Sequence, residues 1–215
     1  MGADAMSSVR TWSVGVLTAP RPTPTLPRML ASLCEAGWSD LLVVEDRRKL
    51  GHFFAWMKGL ATIVDREPHA DAYFLIEDDA VFCRRLRAYL EQSLWPEDPR
   101  RLALCSPYSP EAYRAPQRGW HTENRGLYLA SSLAWVLPPA AARAVLADLG
   151  PLDAQRFNAD RLVGQWAADR GLDVFYHTPS LAQHVGVGNS ALGDPVDSPL
   201  RHAADFVGEE GSPWA

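Results

Sequence analysis

Lysine is nearly absent: Lys49 and Lys58 are the only two in 215 residues, and every other fixed positive side chain is an arginine. With abundant alanine and proline, that bias points to a GC-rich genome rather than to a function. Positive charge is not in excess either. Twenty-one basic residues face twenty-six acidic ones, a formal charge of −5. Such a chain lacks the global basic surface of a nucleic-acid binder, although a local basic groove stays open. Cysteine is scarce. Cys34, Cys83 and Cys105 lie far apart with no C-x-x-C pair, which argues against a disulfide scaffold or a zinc knuckle. Each sits beside apolar residues, as a small buried hydrophobe would. Long apolar runs are missing too. The densest stretch, Tyr128 to Leu149, is broken by serines, two prolines, Arg143 and Asp148. No membrane span is supported, and Met1 to Arg10 has no signal-peptide core. The expectation is a soluble, cytoplasmic protein.

What is present is a core: 47% of residues are hydrophobic. At roughly 150 residues per domain, the length favours one domain over two. Trp12 to Leu17 reads as a strand that ends in a proline-rich loop, Ala19 to Pro24. Leu26, Leu30 and Leu33 recur at helical spacing, with Pro27 suited to the first turn and Gly37 to the stop. Leu41 to Val44 is a short apolar run ending in Glu45-Asp46. Phe53, Met57, Leu60 and Val64 form a helical stripe that Trp56 and Ile63 broaden. Tyr73 to Ile76 is another apolar strand, ending in Glu77-Asp78-Asp79. A helix with Leu86, Leu90 and Leu94 follows, then a strand from Leu102 to Cys105. This alternation predicts an α/β domain with a mostly parallel central sheet and helices on both faces.

The second half is less regular. Tyr108 to Gly126 is long, polar and aromatic. A strand is expected near Leu133 to Leu137, helices from Pro138-Pro139 to Gly150 and from Asn158 to Arg170, and a last strand from Leu172 to Tyr176. Residues 1–10 read as a disordered N-terminus. Gly, Pro, Ser and Asp dominate after Gly186, so 193–215 reads as a flexible tail or lid.

In open parallel sheets, ligands sit beyond the carboxyl ends of the strands, which is where the acids collect. An extended chain points Glu77 and Asp79 one way and Asp78 the other. Two carboxylates on one side repel unless a cation lies between them or one is protonated. A hard divalent ion takes oxygen ligands and shares them with substrate phosphates. The plain alternative is that the acids only complement the next helix's N-terminus. Asp160, near a helix start, has the same plain explanation.

The stretch Ala72-Tyr-Phe-Leu-Ile-Glu-Asp-Asp-Ala80 resembles the strand and DXD-type acidic motif of GT-A glycosyltransferases. Its E-D-D form is similar to the lipopolysaccharide-core and N-acetylglucosaminyltransferase-IV-like branches. Gly51-His-Phe-Phe-Ala-Trp-Met-Lys-Gly-Leu60 resembles the helix those branches place beneath the donor sugar. Pro179-Ser-Leu-Ala-Gln-His-Val-Gly186 resembles their C-terminal segment. The likeness runs from about Trp12 to Leu192, and it divides the chain into a nucleotide-binding half, 12–106, and an acceptor and metal-completing half, 107–192. Where the lipopolysaccharide branch has Ser-His, this chain has Ala55-Trp56, so those donor contacts do not carry over.

The resemblance implies a metal-dependent transfer of sugar from a nucleotide-sugar, a UDP-sugar first, to an acceptor hydroxyl. Glu77, Asp79 and His184 would hold the metal, Mn²⁺ or Mg²⁺, and the imidazole tilts the choice to Mn²⁺. Asp78 would face the ribose or sugar, Asp46 the nucleobase, and Thr18, Ala19, Pro20 and Arg21 would form the loop under base and ribose. Arg21 could also grip a phosphate as a planar fork. Asp160 would be the base of an inverting reaction, with Asp153 and Glu123 as reserves. Trp120 and His121 would bound the acceptor or sugar pocket; for Trp120, loop packing is an equal reading. The acceptor stays open among glycan, lipid, small molecule, protein and modified nucleobase. Two other functions compete: a nucleotidyltransferase of related sheet topology, and a noncatalytic carbohydrate-binding protein that keeps the fold. Pro20, Pro22 and Pro24 leave few N–H groups for the phosphate cradle the first of these needs.

Overall fold

The apolar runs become the inner strands of one sheet, and the acids are left at its edge. The structure is a computed structural model that describes residues 9–122, 129, 131–152, 158–186 and 201–214. Along the chain come β1 (Trp12–Thr18), α1 (Leu26–Glu35), β2 (Leu42–Glu45), α2 (His52–Arg66), β3 (Ala72–Glu77), β4 (Ala80–Phe82) and α3 (Leu86–Ser93). Then follow β5 (Leu102–Ser106), β6 (Gly119–Thr122), β7 (Ala134–Leu137), α4 (Pro139–Leu149), α5 (Ala159–Asp169), β8 (Asp173–Thr178) and β9 (Ala182–His184).

Among the described residues, seven strands form the main sheet in the order β2-β1-β3-β7-β5-β8-β6, and β4 pairs with β9 in a separate two-stranded sheet. The fold is α/β with helices on both faces, as expected, but the sheet is mixed rather than mostly parallel. β1 runs parallel to β2 and β3, and β5 to β8, whereas β7 is antiparallel to both β3 and β5, and β6 to β8. The sequence could not show this, because a buried run such as Ala134-Trp-Val-Leu137 looks the same in either direction.

Each inner strand serves two cores, since successive side chains point to opposite faces. Val14, Val16, Phe74 and Ile76 pack under α1 and α3. Leu17, Tyr73, Leu75, Trp135 and Leu137 pack under α2, α4 and α5. Helix α2 lies close to the sheet because glycine stands at the contact on both sides. A Cβ added at Gly15 would come within 2.7 Å of Ile63, and one at Gly59 within 2.3 Å of Leu17. This close seat holds the first residue of α2, His52, beside the end of β3.

The expected tail or lid, 193–215, divides in two. Residues 187–200 lie outside the described residues. Residues 201–214 are packed rather than loose. The Gln183 amide bonds both the N–H and the C=O of Ala203, at 3.1 and 3.0 Å. The Val207 N–H donates to Ser180 O at 3.2 Å, and Trp214 stands edge-on to Tyr89 at 5.5 Å. Gly and Pro content misled here because backbone hydrogen bonds do not depend on side-chain type.

His177 on β8 gives the fold a pH dependence. Its Nδ1 donates to Pro179 O at 2.7 Å, the Tyr89 hydroxyl donates to Nε2 at 2.6 Å, and Trp120 packs edge-on at 5.1 Å. Burial lowers the ring to about 4 from 6.5, only partly opposed by the Pro179 carbonyl. The folded protein therefore binds fewer protons than the unfolded chain between those values. Stability should be full above about pH 6.5 and fall, by on the order of 3 kcal/mol, as pH drops toward 4. Urea unfolding at several pH values checks this: His177→Gln should flatten the profile, and an unchanged slope would assign the loss to other groups.

Candidate functional site

β3 buries Ala72 to Ile76 and stops at Glu77. The chain then turns through Asp78 and Asp79 before β4 begins at Ala80. That turn breaks the alternation expected of an unbroken strand, and the three carboxylates take different partners.

Glu77 looks toward α2. His52 Nε2 lies 3.0 Å from Glu77 Oε1, and Ser132 Oγ lies 2.8 Å from that nitrogen while donating to the same carboxylate oxygen. Burial alone would raise the Glu77 carboxyl. The hydrogen bond from His52, with that from Ser132, outweighs it and holds the group below the usual carboxylate range.

Asp78 and Asp79 look toward the loop after β1. Thr18 Oγ1 donates to Asp78 Oδ2 at 2.5 Å, and one nitrogen of the Arg21 guanidinium pairs with Asp78 Oδ1. The other, Nη1, reaches Asp79 Oδ2 at 3.2 Å. Arg21 thus spans two successive carboxylates, both almost wholly buried at 1% and 5% exposure. Burial raises the Asp78 carboxyl against the restraint of Thr18 and Arg21. Asp79 is also pushed up by burial, but His184 and Arg21 together bring it below its ordinary value.

His184 arrives through a pairing more than a hundred residues long. β4 and β9 are antiparallel with Ala80 opposite His184, and the Val185 N–H donates to Asp79 O at 2.8 Å. His184 Nε2 comes to 3.4 Å from Asp79 Oδ2. Gly186 passes so near that a Cβ there would sit 2.4 Å from the same oxygen, so only glycine fits beside this carboxylate.

Among the described residues, no three His, Cys, Asp or Glu side chains are gathered as a metal cage. The expected trio of Glu77, Asp79 and His184 does not converge, because Glu77 is turned to His52. What the turn and β9 do bring together is a half-site. Asp79 Oδ1 and His184 Nδ1 are buried and have no hydrogen-bond partner among the described residues. A Mg²⁺-type ion keeps several waters and takes one or two carboxylates plus substrate phosphates rather than a closed protein cage. The residues present fit such an ion.

Asp160 is the second residue of α5, and its Oδ1 accepts the Arg161 N–H at 2.8 Å. Burial raises its carboxyl and Glu77 pushes it further up, opposed by that N–H. At the sheet's carboxyl edge, His52 lies within electrostatic reach of Glu77, Asp79 and Asp160.

Other expected residues fall elsewhere. Asp46 follows β2, with its N–H on Thr18 O at 2.8 Å, and lines a shallow cleft with Leu50, Phe54 and Lys58. Ala19 is half-buried and Pro20 exposed in the loop after β1. Trp120 and His121 lie on β6, four strands from β3 in the sheet order. There Trp120 packs on His177, and His121 Nε2 bonds Tyr113 O at 2.8 Å. The structure does not bring this pair to the acids. Glu123 and Asp153 lie outside the described residues.

His52 and Ser132 were not among the expected site residues. The signal for His52 was a histidine directly after Gly51 at a helix start; nothing local marked Ser132.

No protein-family model matches the chain, and no curated protein matches it. Among solved structures it is similar to a glycosyltransferase involved in the glycosylation of the major capsid of PBCV-1, at 12% identity over 78% of this chain and 83% of that one, TM-score 0.47. It is also similar to the inositol-1-phosphate CTP transferase from T. maritima, at 15% identity over 78% and 66%, TM-score 0.40. A third likeness is to a nucleoside-diphosphate-sugar pyrophosphorylase from Vibrio cholerae RC9, at 9% identity over 81% and 77%, TM-score 0.39. Likenesses of this size assign no activity, and the side chains must supply it.

Proposed function

We propose that this protein is a metal-dependent glycosyltransferase that takes a nucleotide-sugar, a UDP-sugar first, and transfers the sugar with inversion to an acceptor hydroxyl. The observation that supports it most is the half-site of Asp79 and His184, two buried groups at the carboxyl edge of β3 with an oxygen and a nitrogen that have no partner among the described residues. Asp79 and His184 would hold Mn²⁺ or Mg²⁺, which supplies neutralisation of the negative charge on a leaving diphosphate. Arg21 carries the same task in another form. Its fork, now spread over Asp78 and Asp79, has the geometry to grip phosphate oxygens instead. Asp78, released from Arg21, would face the ribose or sugar, and Asp46 at the cleft after β2 would accept from the nucleobase.

Asp160 takes the acceptor proton. Its raised carboxyl makes it a better base at neutral pH than an ordinary aspartate, since proton transfer is most effective when the base is matched to the working pH. The Arg161 N–H fixes one carboxylate oxygen, Oδ1, and the other would take the acceptor proton.

A screen of UDP- and GDP-sugars with Mn²⁺, read as release of UDP or GDP, tests the reading. Metal-dependent release from one donor is the expected result. No release from any donor, with or without acceptor extracts, would leave the carbohydrate-binding alternative in its place.

A further inference from the structure

We infer that His52 is a positioning residue: it ties Glu77 and Ser132 to the first N–H of α5 and thereby sets the direction of Asp160. The inference rests on the reading of Asp160 as the acceptor base. Four segments meet at this imidazole. Nε2 lies 3.0 Å from Glu77 Oε1 and 2.8 Å from Ser132 Oγ, and Nδ1 accepts the Ala159 N–H at 3.0 Å. Ala159 is the first residue of α5 and Asp160 the second.

The first N–H groups of a helix have no partner inside it; the preceding residue's side chain commonly takes the second or third of them, and the first must find an acceptor elsewhere. Asn158 stands in that place and has a suitable side chain, yet it makes no capping bond. The cap comes from His52, 107 residues earlier in the chain. A histidine can do this in only one form. Nδ1 must keep its lone pair for the Ala159 N–H, so the proton sits on Nε2 and faces Glu77. Glu77 selects that tautomer, and Ser132, donating to the same oxygen, holds the carboxylate in place. This gives Glu77 a task in the site that needs no metal.

The same geometry excludes a nucleophilic triad. In such a triad the serine and the acid occupy opposite nitrogens of the imidazole. Here both share Nε2, and the far nitrogen is taken by a backbone amide, so no basic nitrogen faces Ser132.

Two isosteric variants separate the halves of the link. In His52→Asn, the amide oxygen takes the place of Nδ1 and can still accept from Ala159. In His52→Gln, the amide nitrogen takes the place of Nε2 and keeps the bond to Glu77, but Ala159 loses its acceptor. His52→Gln should lower kcat about 10- to 100-fold through misdirection of the base, with the donor KM nearly unchanged. His52→Asn should recover most of that loss. Amide exchange at Ala159 should speed up in the Gln variant and stay slow in the Asn variant. Equal kcat in the two variants, or exchange at Ala159 unchanged by Gln, would overturn the inference. So would a kcat loss that follows thermal stability alone. The exchange readout requires no turnover. If no donor is consumed by the wild type, the glycosyltransferase reading fails, and Ala159 exchange still decides whether His52 caps α5.

Discussion

Asp160→Asn should bind donor as the wild type does and turn it over roughly 10²–10⁴-fold more slowly, the usual contribution of a general base. Asparagine keeps the size of the side chain and an oxygen that can accept the Arg161 N–H, so the start of α5 stays as it is. Only the capacity to take a proton goes. Donor affinity should hold because Asp160 is assigned to neither the nucleotide nor the metal. The pH profile carries a second signature. Burial raises the Asp160 carboxyl, so the acid limb of wild-type activity should lie above the range of an ordinary aspartate, activity falling as pH drops through it. If transfer proceeds with the proposed inversion, an α-linked donor should yield a β linkage by NMR. An α product or a nearly active Asn variant would remove Asp160 from the chemistry and leave the Asp79 half-site standing.

Asp79→Ala should abolish Mn²⁺-dependent binding of UDP in calorimetry, a loss of roughly 10²-fold or more, while the protein stays folded. The fold should survive because the remaining buried charges keep partners. Arg21 retains Asp78, and Asp78 retains the Thr18 hydroxyl. What is lost is the one carboxylate that touches both Arg21 and His184. Thermal unfolding within a few degrees of the wild type, with UDP binding gone, is the expected pair of results. Metal-dependent binding left intact would move the ion away from Asp79.

The strands and helices were legible where apolar pattern and length agreed. Phe53, Met57, Leu60 and Val64 marked α2, and Tyr73 to Ile76 marked β3, because burial on one stripe or on both faces leaves a trace in composition. Three elements left none. β4 and β9 have three residues each and exist through each other, across a separation no local pattern encodes. β6 sits inside a polar, aromatic stretch at the sheet edge, where one face needs no apolar residue. The antiparallel insertion of β7 between β3 and β5 was equally silent.

At the site, Asp79 and His184 were both singled out, and the structure sets them side by side. Glu77 is bonded instead to His52 and Ser132, because the chain turns after it and strand alternation stops there. The sequence shows His52 only as the first residue of a helix, because its role depends on Ser132 and Ala159. Those partners arrive by tertiary packing, and a single histidine beside a glycine does not announce them.

The proposed function turns on whether Asp79 and His184 hold a divalent ion for a nucleotide-sugar. Crystals grown with Mn²⁺ and UDP, measured at the manganese absorption edge, test it most directly. One anomalous peak in contact with Asp79 and His184, with the UDP phosphates completing the coordination, is the expected result. UDP bound with no peak there, or a peak held by other residues, would contradict it.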